Sequence, residues 1–160
     1  MKDTFEIRLT GEGMKPGLVR SHELAELMEA IEDLVTAETL KHAPDVKRDE
    51  LIVGLYEIAD KSVGLKFKTT LASLVIPIFT AATTAVAENR FDDLTPQTIK
   101  SLHTISNFTK RHQAKTEFKT FESVEPIAVI SPETIIPVEF KITGQTELFA
   151  KILRVGGKVA

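Results

Sequence analysis

The chain has 160 residues, of which 42% are apolar and 27% charged, and its formal net charge is −3. That size and balance suit a single globular domain rather than a disordered or fibrous chain, and an acidic total gives no general attraction to nucleic acid or anionic lipid. Cysteine is absent, which removes disulfides, thiolate metal ligands and a cysteine nucleophile, and fits a reducing compartment.

At the N-terminus, Lys2, Asp3 and Glu6 place charges where a secretion signal would carry its apolar core, so a cytoplasmic location is expected. Residues 4–10 alternate Phe5, Ile7 and Leu9 with polar neighbours, the period of a half-buried strand. Gly11, Gly13, Pro16 and Gly17 mark a loop. Ser21 is then read as the cap of a helix running to about residue 40. Leu24, Leu27, Met28, Ile31, Leu34 and Val35 share one arc of that helix, while Glu26, Glu29, Glu32 and Asp33 fill the opposite arc. Two apolar, β-branched runs at 51–58 and 63–67, split by a short polar turn, predict a hairpin.

Residues 69–87 carry no charge, about the span of a bilayer. Six hydroxyl side chains and Pro77 within the stretch argue for a buried helix instead, starting between Leu71 and Pro77 and ending near Asn89 or Arg90. Thr95-Pro96 reads as N-cap and first residue of a further helix, to about His112, with Ile99, Leu102, Ile105 and Phe108 spread over a broad face. Strand-like runs follow at 116–121, 126–130 and 135–142, limited by Pro132 and Pro137. A last run at 146–155, with Gly156-Gly157 as its turn, reads as a hairpin arm without its partner. The expectation is therefore an N-terminal piece of a longer protein. An α+β domain would occupy 1–142 and a small β module, or an edge strand, would begin at 143. The expected fold class is α+β, a mainly antiparallel sheet packed by about three helices on one side, in the order β-α-β-β-α-α-β-β-β-β.

Motifs are weak. Gly11, Gly13 and Gly17 are spaced one residue too long for a dinucleotide fingerprint, and Glu12 stands where phosphate would lie. His22, His42, His103 and His112 sit in separate elements or on opposite helix faces, with no metal-ligand spacing. Glu117-Phe118-Lys119 and Glu139-Phe140-Lys141 resemble nuclease pairs only as any alternating strand does. No elbow surrounds a serine. No cofactor is expected.

Three readings follow. The leading one is a cytoplasmic interaction or oligomerisation module without catalytic activity, binding a protein partner or itself through the acidic surface Glu26, Glu29, Glu32 and Asp33. The second is nucleic-acid binding through the basic segment 110–119, with Lys110, Arg111, Lys115 and Lys119 as contacts. The third is an enzyme whose site has no sequence motif. Membrane insertion is not expected.

Overall fold

The alternation of Phe5, Ile7 and Leu9 with Thr4, Glu6, Arg8 and Thr10 builds β1 (Thr4–Thr10), the middle strand of the sheet. In the computed structural model, which describes residues 2–60, 62–121 and 123–138, there follow α1 (Ser21–His42), β2 (Val53–Ala59), β3 (Val63–Thr69), α2 (Ala72–Ala87), α3 (Pro96–His112), β4 (Lys115–Thr120) and β5 (Ala128–Ile130). The sheet order is β2-β3-β1-β4-β5 and every pairing is antiparallel. The α+β class, the antiparallel sheet and the three helices on one side match what the sequence predicts.

Antiparallel pairing throughout makes β1 parallel to β2, with β3 between them, and β3 parallel to β4, with β1 between them. The α1 connection crosses over β3, and the α2–α3 connection crosses over β1. The two crossovers interleave, so neither half of the sheet is complete without the other.

One face of the sheet is the core. Phe5, Ile7, Leu9, Leu65, Phe67 and Phe118 point into it and are almost fully buried. Phe79 of α2 enters this layer, 4.3 Å from Phe5 and 6.5 Å from Phe118 between ring centroids, while Phe5 stacks on Phe67 at 5.2 Å. Each such side chain contributes about 1.5–3 kcal/mol by leaving water. α1 packs along both α2 and α3 with Leu27, Ile31, Leu34 and Val35. The broad face of α3 has a structural cause: it touches α1 and also β4 and β5, so Thr98, Ser101, Ser106 and Thr109 are buried beside its aliphatic residues.

Several boundaries differ from expectation. Ser21 does not cap α1: Arg20 is the capping residue, and its carbonyl already accepts from Glu23 and Leu24 N–H, so Ser21 is the first helical residue. α2 stops at Ala87, because Asn89 adopts a left-handed φ of 57° and the Arg90 and Asn89 N–H groups close back on the Ala85 and Val86 carbonyls. Pro77 is interior to α2 on an exposed stripe with Ser73 and Ala81, so the carbonyl it leaves without a partner is on the solvent side. Thr95 caps α3 as expected, accepting from Thr98 N–H at 3.0 Å.

Residues 135–138 form no strand. Pro137 has no N–H for a ladder, and its carbonyl instead accepts from His103 Nε2 at 2.9 Å. The remainder of that run, the strand at 146–155, the turn at Gly156-Gly157, the pair Glu139-Phe140-Lys141 and the module from 143 lie outside the described residues. Among the described residues no helix is long and apolar enough to cross a membrane.

Candidate functional site

Because the helices share one side of the sheet, the alternate residues of every strand face the other way. Register places Glu57, Lys66, Glu6 and Lys119 in one row across that open face, and Ala59, Gly64, Arg8, Glu117 and Val129 in the next. Lys68 lies opposite Thr4, and Lys115 opposite Thr10. The rows alternate in sign, which stabilises the sheet by cross-strand attraction. Arg8 Nη2 is 2.7 Å from Glu6 Oε2, and Lys66 Nζ is 3.7 Å from Glu57. Gly64 makes the first pair possible, since a Cβ there would fall within contact distance of both Glu6 Oε2 and Arg8.

The face is unequally charged. Arg8, Lys66, Lys68, Lys115 and Lys119 stand against Glu6, Glu57 and Glu117, a formal +2 on a chain whose total is −3, so everything else carries −5. Among the described residues Lys68, Lys115 and Lys119 have no carboxylate within 4 Å. A cleft of about 300 Å³ runs across this surface, with Lys66, Glu6 and Lys119 at its centre and Tyr56, Phe121 and Ser123 in its walls. Tyr56 is 46% exposed and Phe121 55%. Tyr56 is the extra residue of a β-bulge between Leu55 and Glu57, and bulges at sheet edges re-aim side chains. Lys68 Nζ is 5.9 Å from its ring centroid.

The structure divides the basic segment 110–119. Lys115 and Lys119 belong to the open sheet face. Lys110 is exposed on α3, and Arg111 is drawn to α1, 3.1 Å from Glu23. His112 Nε2 donates to the same carboxylate at 2.9 Å. That hydrogen bond holds the Glu23 carboxyl below its usual range; partial burial opposes the shift and Arg111 adds to it. Of the acidic set, Glu26, Glu29 and Glu32 are exposed and Asp33 half-buried. Glu26, Glu29 and Asp33 border a shallow groove toward Lys100 and Thr104 of α3.

Glu38 escapes that list although it is 2% exposed. It stands on the same arc as Ile31 and Leu34, so its place in the apolar stripe is the signal that would have found it. Its Oε2 accepts from Thr95 N–H at 2.9 Å and from the Thr98 hydroxyl at 2.6 Å. An α1 carboxylate thus closes the N-terminus of α3 and meets its dipole. A cleft of about 590 Å³ opens beside it, lined also by Lys41, His42, Ala82, Arg90 and Asp92. Its two cations are engaged in holding this corner: Lys41 Nζ donates to the Asp93 carbonyl at 2.7 Å, and Arg90 pairs with Glu88 and Asp93. His42 Nε2 is 3.9 Å from Glu38 Oε1, too far for proton transfer within a hydrogen bond. Among the described residues no three His, Asp or Glu side chains converge to hold a metal ion. Comparison with protein-family models, with curated proteins and with solved structures returned no match.

Proposed function

We propose that the chain is a non-catalytic interaction module that docks an acidic partner on the open face of its sheet. One observation carries this reading: the face gathers +2 on a chain of −3 and also displays Tyr56 and Phe121. Segregated charge of this kind steers and orients an anionic partner, with a strength that falls as salt screens it.

The test is retention on an immobilised polyanion at low ionic strength. Joint Lys66→Gln, Lys68→Gln, Lys115→Gln and Lys119→Gln substitution should abolish retention, while joint Lys110→Gln and Arg111→Gln substitution should leave most of it. The reverse ranking, or a wild-type chain that is never retained, refutes the reading. The exposed carboxylates Glu26, Glu29 and Glu32 lie on the helical side, so a second copy of the chain is itself an acidic partner. Light scattering after size exclusion at low and high salt reads that version directly, and a strict monomer throughout removes it.

A further inference from the structure

We infer that the acidic partner is a single-stranded nucleic acid lying across the open sheet face, an inference that rests on the docking reading above. Lysines alone would suit any polyanion. The aromatic residues narrow the choice, because a base has a π-face to stack and a carboxylate peptide has none. Tyr56 on β2 and Phe121 after β4 border the same cleft from its two sides, with Lys66, Glu6 and Lys119 between them. Three strand steps separate β2 from β4, about 14 Å at the usual inter-strand spacing, so the two rings can hold different bases of one extended strand.

Room is available beside the first ring. A groove of about 470 Å³ runs past Asp3, Ile52, Gly54, Tyr56 and Lys68, and Gly54 has nothing within 4 Å of where a Cβ would stand. The Lys68 ammonium lies over one face of the Tyr56 ring, 5.9 Å from its centroid, so a base would stack on the other face and leave the ammonium for the adjoining phosphate. Lys66 and Lys119 flank Glu6 in one row and supply further phosphate contacts. Glu6, its charge met by Arg8 and its Oε2 buried, separates the two lysines. Duplex fits poorly: among the described residues no helix or ribbon stands out from this sheet to enter a groove.

The experiment is fluorescence anisotropy with labelled single-stranded RNA and DNA of roughly 12 nucleotides, a duplex of equal length and an oligo-glutamate peptide of equal charge, each across a salt series. Single strands should bind most tightly. Tyr56→Ala and Phe121→Ala should each weaken binding by about fivefold or more. Lys66→Gln and Lys119→Gln should each lower the salt slope by about 0.7. Unchanged thermal melts confirm that these surface variants fold. Glutamate peptide bound as tightly as the oligonucleotide, duplex bound as tightly as single strand, or indifference to both aromatic substitutions overturns the inference while leaving an acidic-partner module standing. Binding to none of the probes overturns both.

Discussion

Glu38 offers the sharpest test of how the helical layer is held. It is 2% exposed, and one of its oxygens accepts from Thr95 N–H and the Thr98 hydroxyl at the start of α3. Glu38→Gln keeps the volume and an acceptor but removes the charge. A hydrogen bond to a charged group contributes about 1.5–3 kcal/mol and a neutral one about 0.5–1.5, so the two bonds lose about 1 kcal/mol each. The helix dipole adds about 0.5 kcal/mol, and the expected loss is about 2.5 kcal/mol. Glu38→Ala also leaves a void and takes away the acceptor of the fully buried Thr98 hydroxyl, which keeps only its bond from the Thr95 hydroxyl, raising the loss to about 4 kcal/mol. Urea unfolding, with the slope checked for constancy, measures both. A double-mutant cycle between Glu38→Gln and Thr98→Val should show a coupling of about 1 kcal/mol. If Glu38→Gln lies within about 0.5 kcal/mol of wild type, or the two substitutions simply add, the carboxylate is not what secures α3.

Phe79→Ala should cost about 3–5 kcal/mol, because Phe79 is 1% exposed and links the rings of Phe5 and Phe118; a loss under about 1 kcal/mol by urea unfolding would show that the layer collapses around the gap. Gln113→Gly should stabilise by about 1 kcal/mol, since Gln113 ends α3 at a left-handed φ of 50°, and a lower thermal midpoint would contradict this. Glu23, whose carboxyl is depressed below its ordinary value of 4.5, chiefly by the His112 hydrogen bond, is ionised in the fold at pH values where the unfolded chain takes up a proton. Its contribution is therefore complete above about pH 4.5 and is lost as pH falls through the folded value. Glu23→Gln should accordingly cost less than about 1 kcal/mol at neutral pH, with the gap from wild type closing on acidification. A gap that widens would reverse the assignment.

Local pattern carried most elements. The alternation of Phe5, Ile7 and Leu9 and the stripe from Leu24 to Val35 depend only on which neighbours share a face, and Thr95-Pro96 needs no tertiary partner to cap and start a helix. Expectation failed in two ways: the start of α1 moved by one residue, so that Arg20 and not Ser21 caps it, and Pro137 gave its carbonyl to the distant His103.

The candidate site was barely legible. Lys115 and Lys119 stand out in a basic run, yet Arg8, Lys66 and Lys68 belong to other strands, and only the pairing of β1 with both β3 and β4 puts them beside one another. Helix packing, not strand pairing, drew Arg111 out of the group, because α3 lies on α1 and meets Glu23 there. Composition and period thus determined an acidic α+β chain and which residues turn inward. Strand order is set by crossovers between residues far apart in the chain, so the gathering of charge on one face of an acidic protein was decided only when the sheet closed its register.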